Sequence, residues 1–423
     1  MKKLFVLFVA LVMILAALPA FAQDKADWAF YGSVRMWTAW ESVDSDTPPQ
    51  LASTGASGSF FAVGTTRAKA FTYGGDSYGD DELAWMLQTN SRVVANVKWG
   101  NIGGRFELGM GNTEGTQGVS LRLLYGTWNF GPGTFEIGQD YGSYFYLVSN
   151  LCGPGGAECN GIGFGSIYPG RVPQLALIMG GFRVSLELPT IVSSFQPQTA
   201  VPFNAIQPTT LLLNNNQTTA GTGFIEYDKV FPRIAANYTF NLGPGQFFIG
   251  GQYNTYDEIY GVNGIDTQEN TVDGWTLGAG TKLAFGPFYT NATFQYGKNP
   301  NNAGSGPATL YPSVQLYSPT LDRSEDATYM AAQLILGFKL TDAITFEGGV
   351  IWQNGDVQSP TTELSVEQNT YTYYLQMTWM PTKNFYIIPE IGAIDFDKLK
   401  TSGNADLNYG KTQWIGIKWM INF

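Results

Sequence analysis

The sequence WIGIKWMINF, residues 414–423, alternates between two kinds of side chain with a period of two. Successive residues of a β-strand point to opposite sides, so one face is apolar and comprises Ile415, Ile417, Trp419, Ile421 and Phe423. The opposite face is mixed and includes Lys418 and Asn422. In a water-soluble protein the apolar face would need a core to cover it, whereas in a bilayer it can contact lipid directly. The segment is therefore a candidate for a strand between lipid and a more polar interior.

The beginning of the chain, MKKLFVLFVALVMILAALPAFAQ (residues 1–23), has the layout of an export signal. Lys2 and Lys3 precede an apolar run, which ends in a small-residue cleavage pattern at Ala20–Ala22. A permanent membrane anchor is the alternative, but Pro19 and the cleavage pattern favour removal. We expect a signal peptide at residues 1–22 and a mature domain at residues 23–423. No other segment approaches the roughly 18 apolar residues that a spanning helix needs, so a membrane crossing would use strands.

The composition excludes several classes of function. The 34 acidic residues outnumber the 23 basic ones, which argues against a nucleic-acid partner. The chain has no histidine, so it cannot build a Ser-His-Asp or Cys-His hydrolase site or a histidine-ligated zinc site. We expect no enzyme activity, no metal and no cofactor.

Cys152 and Cys159 lie in the segment CGPGGAEC. Two cysteines are too few for a structural zinc site, and an exported chain meets an oxidising compartment. A local disulfide between Cys152 and Cys159 is the favoured interpretation. It would restrain one glycine-rich loop.

Apolar alternation recurs in segments of about ten residues, which is the length of a tilted strand across a bilayer. Short turn signals lie at residues 101–104, 131–133, 180–181, 243–245, 286–287, 341–343 and 381–384. Longer polar stretches lie near residues 41–82, 112–118, 146–173, 190–232, 258–273, 299–326, 355–370 and 397–410. Seven tight turns alternating with eight longer loops predict sixteen strands, with both termini on the tight-turn side.

This layout predicts an all-β fold, a closed transmembrane antiparallel β-barrel, because closure leaves no unpaired strand edge in lipid. Residues 57–74 could add a hairpin and make eighteen strands, or belong to a large first loop. A water-soluble sandwich or propeller is the alternative fold. It is disfavoured by aromatic residues near strand ends, where a membrane interface would place them, such as Trp99, Trp128, Trp379 and Trp419.

Several segments resemble the general bacterial porins. SRVVANVKWGNIGGRFELGMGN (91–112) is similar to the second and third strands of that family, and SLRLLYGTWNFGPGTFEIGQDYGSYF (120–145) to the fourth and fifth. FGPFYTNATFQYG (285–297) resembles a later hairpin. Gln139 stands where the family often has arginine.

The resemblance implies a homotrimer of sixteen-stranded barrels in the outer-membrane lipid. It implies an inward-folded third loop at residues 146–173, which narrows each pore, and a second loop at residues 112–118 that contacts a neighbouring subunit. Phe423 resembles the carboxy-terminal signal by which outer-membrane barrels are recognised for assembly.

Alternation also assigns side chains to the lumen. Outward Val34, Val93 and Val97 turn Arg35, Arg92 and Lys98 inward, and outward Leu121 and Leu123 turn Arg122 inward. Lys418 faces inward on the last strand. A lipid-facing arginine or lysine costs about 2 to 4 kcal/mol at the bilayer midplane, which supports these assignments.

By resemblance, Arg35, Arg92 and Arg122, with Lys418, form the basic side of the pore constriction. Asp140 and Glu158 are the candidates for its acidic side, because they lie at and within the third loop. The alternative is that the arginines only hydrate the lumen or pair with carboxylates of the wall, namely Glu107, Glu136, Glu187 and Glu347.

The favoured function is a water-filled channel for passive diffusion of small hydrophilic solutes and ions. A substrate-specific channel, for a sugar or an organic acid, is the alternative. A row of aromatic side chains along the lumen would favour it, and the candidates are Tyr31, Trp37, Trp128 and Tyr374. An outer-membrane enzyme or adhesin is the least favoured interpretation.

Overall fold

The structure, a computed structural model, describes residues 26–44, 81–113, 116–153, 163–192, 194, 223–229, 231–262, 265–305, 313–318, 321–360, 365–401, 407–408 and 410–423. The expected signal peptide, the candidate extra hairpin at 57–74, and Glu158 and Cys159 lie outside the described residues. Within the described ranges, no helix is long and apolar enough to cross a membrane.

Sixteen antiparallel strands form the wall of the molecule. The first eight are β1 (Asp27–Asp44), β2 (Asp81–Trp99), β3 (Ile102–Thr113), β4 (Thr116–Asn129), β5 (Thr134–Tyr141), β6 (Arg171–Met179), β7 (Phe182–Glu187) and β8 (Gly223–Asp228 and Arg233–Leu242). The others are β9 (Gly245–Val262), β10 (Ile265–Phe285), β11 (Phe288–Lys298), β12 (Thr328–Lys339), β13 (Ile344–Gln358), β14 (Ser365–Thr382), β15 (Phe385–Asp395 and Lys398–Thr401) and β16 (Leu407–Asn408 and Lys411–Asn422). A small hairpin, Leu316–Ser318 with Arg323–Glu325, lies between β11 and β12.

The strands close into a barrel because each pairs with its neighbours in the chain and β16 pairs with β1. The closing ladder runs from Ser33 opposite Asn422 to Asp44 opposite Lys411. β1 also pairs directly with β2, so no further strand lies between these two in the wall. The prediction of a closed sixteen-stranded barrel is confirmed, and the eighteen-strand alternative is wrong.

The alternation of the last strand is confirmed. Ile415, Ile421 and Phe423 are 62%, 52% and 64% exposed on the outside, whereas Trp414 and Lys418 are 3% and 5% exposed on the inside. The same contrast recurs around the wall, because large apolar side chains face outward on every side of the barrel. Examples on other strands are Leu277, Leu336, Val350 and Leu375.

The tight turns lie where the sequence predicts them, all at the barrel end that holds both termini, here called the turn end. Glycines with positive φ occupy several of these turns, where a left-handed backbone favours a residue without Cβ, as at Gly180 and Gly243. Pairing of Asn422 with Asn384 places the carboxyl terminus beside the last turn.

Three predicted loops are much shorter than expected. The ladder continues through Tyr260 and Gln268, so most of 258–273 is strand, and Val357 pairs with Val366 within 355–370. At 112–118, Thr113 pairs with Thr116. These polar segments extend the hairpins, because backbone pairing in an antiparallel ladder does not require apolar side chains.

The third loop is residues 142–170 instead of 146–173. Arg171, Val172 and Pro173 already pair with Tyr141, Asp140 and Gln139, so β6 begins before the predicted end of the loop. The described parts of the loop are residues 142–153 and 163–170.

Candidate functional site

The third loop folds into the lumen as two arms that run along the inner wall. The arms meet where Tyr146 N donates to Ile167 O at 2.9 Å. The first arm reaches from Ser143, whose carbonyl accepts a hydrogen bond from Asn237 of β8, to Gly153 beside β16. The returning arm is held by Gln295 of β11 and Gln333 of β12, which donate to Gly165 O and Phe164 O at 2.6 and 2.7 Å.

Two glycines of β10 let the loop approach the wall closely. A Cβ at Gly278 would lie 2.5 Å from the Tyr144 hydroxyl oxygen, and one at Gly280 would lie 2.6 Å from the Tyr146 ring. Both positions point inward, so the sequence LGAGT of β10 provides a shallow groove for the two tyrosines. The inward fold of the third loop therefore depends on small residues of a distant strand.

Carboxylates of the wall accept backbone hydrogen bonds from the first arm. Glu187 accepts from Ser143 N at 2.7 Å, and Glu347 accepts from Asn150 N at 2.9 Å. Further along the same arm, Glu390 accepts hydrogen bonds from Cys152 N and Gly153 N at 2.8 Å each. A buried carboxylate that accepts backbone N–H groups satisfies donors that a loop inside a barrel cannot pair in a ladder.

This corrects the sequence interpretation of two wall carboxylates. Glu347 does not pair with an arginine among the described residues but accepts from Tyr289 and Tyr374 hydroxyls at 2.7 and 2.6 Å, besides Asn150. Glu187 both anchors Ser143 and pairs with Arg233 at 2.6 Å. Glu390 was not predicted, although its inward place in the alternation of β15 could have indicated it.

The end of the first arm packs on two tryptophans, one on each side of the seam, the pairing of β1 with β16 that closes the barrel. A Cβ at Gly153 would lie 2.7 Å from Trp414 Nε1 of β16 and 2.8 Å from Trp37 of β1. Trp414 Nε1 also donates to Glu390 at 2.8 Å. Lys418 pairs with Trp37 and is only 5% exposed, so it faces inward but is largely covered.

Three arginines converge on one buried carboxylate on the wall formed by β2, β3 and β4. Glu107 binds Arg92 at 3.0 Å, Arg105 at 2.5 Å and Arg122 at 2.7 Å, and its side chain has no exposed surface. We call these four residues the arginine wall. One negative charge among three positive ones leaves a local excess of positive charge that faces the lumen.

The arginine wall shows the inward positions and the pairing that the sequence analysis considered. Arg92 and Arg122 face inward as predicted, and they pair with Glu107, as the alternative interpretation expected; their role in a constriction stays a prediction. Arg105 was missed, although it stands two residues before Glu107 on the same face of β3. Arg35 also faces inward, where its Nε donates to Ser33 Oγ at 3.2 Å.

A β-bulge positions Arg122. Glu107 pairs with Leu123 and Leu108 with Leu121, so Arg122 is the extra residue on β4. The predicted outward position of Leu123 is wrong, because the bulge reverses the alternation and Leu123 is only 3% exposed. The Gln139 side chain donates to the carbonyl oxygens of Leu121 and Arg122 at 3.2 and 3.0 Å. These two carbonyl groups lie beyond the end of the β4–β5 ladder and so have a partner outside it.

Asp140 does not stand opposite the arginines. It lies on β5, next to β4, and binds Arg183 of β7 at 3.4 Å, while Glu136 binds the same guanidinium at 2.6 Å. The described arms of the third loop carry no carboxylate side chain. An acidic side on the third loop therefore rests on Glu158, outside the described residues.

The four candidate lumen aromatics do not form a continuous row. Trp128 pairs with Ile102 and Phe135 on the outer face of the barrel, so its predicted inward position is wrong. Trp37 and Tyr374 face inward but are 0% and 6% exposed. Tyr31 is open to the lumen, with the Arg105 guanidinium 5.9 Å from its ring centroid.

Parts of the fourth and sixth loops also lie on the lumen side, against β8 and β9. Arg233 is fully buried, and it binds Glu187 of β7, Thr190 Oγ1 at 2.9 Å and Gly304 O at 3.4 Å. Asn302 donates to Val192 O at 2.8 Å and accepts from Gln315 N at 2.8 Å. These contacts join residues 188–192, 299–305 and 313–318 into one layer at the loop end of the barrel.

The closed barrel, the apolar outer face and the inward third loop together define the fold of the outer-membrane porins. The chain is similar in structure to the outer membrane channel DcaP of Acinetobacter baumannii, with 16% identity, a TM-score of 0.58, and coverage of 96% of this chain and 100% of that chain. It is also similar to the trimer form of OmpT, an outer membrane protein of Vibrio cholerae, with 11% identity, a TM-score of 0.50, and coverage of 95% and 100%. No protein-family model and no curated protein matches the chain.

Proposed function

We propose that the protein lies in the bacterial outer membrane and forms a water-filled channel through which small hydrophilic solutes and ions diffuse passively. The observation that carries this proposal is the placement of the third loop. Its described arms lie against the wall from β7 to β16, whereas the arginine wall stands on β2, β3 and β4. Solutes would pass between the loop and the arginines, where fixed positive charge selects and orients them.

The outer face supports a lipid environment. Leucines on three separate strands, Leu277, Leu336 and Leu375, are 57%, 57% and 58% exposed on that face. Such side chains can contact lipid, while the polar side chains of the same strands face the lumen. We further propose a homotrimer, because the resemblance to general porins implies one and a structural neighbour from Vibrio cholerae is described as a trimer.

A substrate-specific channel is the second candidate, and the layer formed by the fourth and sixth loops favours it. That layer covers the lumen side of β8 and β9 through buried groups such as Arg233 and Asn302. A narrowed entrance would admit fewer solutes than a general diffusion pore. Saturation of flux by one solute would favour this candidate.

Conductance in planar bilayers tests both candidates. We expect wild-type protein to form open channels whose current rises linearly with salt concentration, and to migrate as a heat-modifiable trimer in detergent. Arg92→Glu should shift the reversal potential in a salt gradient toward cations, and Glu158→Gln should shift it toward anions. Lys98→Gln, at the turn end of β2, is a control for charge alone. Absence of channels from correctly folded protein would refute the proposed function.

A further inference from the structure

A polar cavity lies between the first arm of the third loop and the wall, near the turn end of β8 to β11. Its volume is about 390 Å³, which is within the size range of small-molecule sites. The first arm of the third loop, residues 145–150, forms one side, and β8 to β11 form the other through Thr239, Gln246, Lys282 and Asn291.

The strand register brings three polar side chains of this cavity into one row. Lys282 of β10 stands directly opposite Gln246 of β9 and directly opposite Asn291 of β11. Paired residues of an antiparallel sheet share a face, so the lysine lies between two amides. Asn291 Nδ2 donates to Val148 O at 3.0 Å, which joins this row to the third loop.

Tyr146 fixes the position of the lysine charge. Its ring stacks on Phe248 at 4.7 Å between centroids, and the Lys282 ammonium lies 4.9 Å from the same ring centroid. The Tyr146 side chain is 6% exposed, and its hydroxyl has no hydrogen-bond partner among the described residues. The lining of the cavity thus includes a positioned cation.

Among the described residues that line the cavity, Lys282 carries the only charge. The nearby Glu347 is 3% exposed and already accepts hydrogen bonds from Tyr289, Tyr374 and Asn150. The lysine charge therefore faces a space lined by amides, by hydroxyl residues and by the partly exposed Phe145 and Leu147. A small anion with a hydrocarbon part complements this combination.

We propose that this cavity is a binding site for a small organic carboxylate. The carboxylate binds the Lys282 ammonium and the neighbouring amides, and its hydrocarbon part packs on Phe145 and Leu147 of the third loop. The site is separate from the arginine wall, and its strand residues lie near the turn end, which is the periplasmic side under the proposed function. Binding at this site does not require that the channel conducts.

Calorimetric titration of the detergent-purified, full-length protein with sodium hexanoate tests the proposal, with hexanol as the uncharged control. Lys282→Gln should weaken hexanoate binding about tenfold, as expected for loss of a charge-assisted hydrogen bond, and Lys282→Arg should retain it. Gln246→Glu should weaken binding to the same extent, because the new carboxylate pairs with Lys282 across the strands. Gln246→Glu adds an ion pair with Lys282 and leaves the lysine in place, so it tests the site without removing a contact between wall residues.

Lys98→Gln is the matched control, since it removes an exposed lysine near the turn end of the opposite wall. It should leave hexanoate binding unchanged, and all variants should keep heat-modifiable migration. The proposal is overturned if wild-type protein binds hexanoate no better than hexanol, or if Lys282→Gln and Gln246→Glu bind it as wild type does. Equal weakening by Lys98→Gln would overturn it as well. Binding without conductance would contradict the proposed channel and leave this site standing.

Discussion

Gly32 and Phe423 exchange two backbone hydrogen bonds across the seam of the barrel, with N–O distances of 2.8 and 3.0 Å. The Phe423 ring also covers Gly32, since a Cβ at that glycine would lie 2.7 Å from the ring and 2.7 Å from Arg92 O. The last residue of the chain thus completes the ladder of the first strand and fills the space beside it.

Gly32→Val and deletion of Phe423 should each reduce the yield of closed barrel. The valine side chain would displace the terminal ring or the neighbouring backbone, and the deletion would leave Gly32 without either hydrogen-bond partner. The heat-modifiable fraction in outer-membrane preparations measures this. Gly126→Val is the control, because the nearest atom to a Cβ there is 3.8 Å away. Wild-type yield for both seam variants would contradict the assembly role of Phe423.

Glu107→Gln should destabilise the barrel and shift selectivity toward anions. Loss of the buried carboxylate leaves three arginines without their shared partner, and breaking a buried pair costs about 3 to 5 kcal/mol. Thermal unfolding in detergent and reversal potentials measure the two effects. Glu269→Gln, at an exposed position of β10, should change neither. A variant with unchanged unfolding temperature and selectivity would show that the arginine wall does not act as described.

Glu390→Gln should loosen the third loop without opening the barrel. The carboxylate accepts from Cys152 N, Gly153 N and Trp414 Nε1, and a buried donor left unpaired costs about 1 to 3 kcal/mol. The strand ladders do not include this side chain, so heat-modifiable migration should persist while open-channel noise rises. Asp342→Asn changes an exposed carboxylate in a turn and is the control. Equal noise in both variants would argue against anchoring by Glu390.

The expected disulfide between Cys152 and Cys159 stays a prediction, because Cys159 lies outside the described residues. Closing this short loop would restrict a glycine-rich segment whose backbone is otherwise very free. Reduction, or Cys152→Ser with Cys159→Ser, should change channel noise and selectivity and leave the barrel intact. Mass spectrometry after thiol labelling without reductant measures the bond directly, and two labelled cysteines would exclude it.

Acid should loosen the sixth loop through Asp326. Burial opposes ionisation of this group, but hydrogen bonds from Lys298, Asn299 and Gln315 hold its pKa below the usual 3.8. A carboxylate with a lowered pKa stabilises the fold fully above its unfolded pKa, and this stability is lost as the pH falls through the lowered value. Pepsin cleavage between residues 299 and 327 should therefore rise below pH 3.8 in wild type. Asp326→Asn should remove this pH step, whereas Asp228→Asn should keep it.

Period-two alternation predicted the wall of this protein well, because lipid on one side and water on the other impose opposite demands on successive residues. Arg92 and Lys418 face inward for that reason. The prediction failed at Leu123, because a one-residue bulge reverses the alternation there. The amino-acid sequence of β4 does not indicate this bulge. The prediction also failed at 258–273, where Glu258 and Asn270 are buried against polar loop residues, because a polar sequence is compatible with either strand or loop.

The candidate site was less predictable because its contacts are distant in sequence. Asn150 and Glu347 are 197 residues apart, and Cys152 and Glu390 are 238 apart. Alternation places both glutamates inside the barrel but does not indicate what they bind. Their partners in the third loop include the backbone N–H groups of Asn150, Cys152 and Gly153, and a backbone group has no signature in the sequence.

The packing of Gly153 on Trp37 and Trp414 implies that the barrel closes before the third loop makes all of its contacts. One tryptophan belongs to the first strand and the other to the last, so they become neighbours only when the two ends of the wall meet. The complete contacts of the third loop therefore cannot exist in an open sheet. The same closure that removes the last exposed strand edge also completes the surface on which the third loop packs.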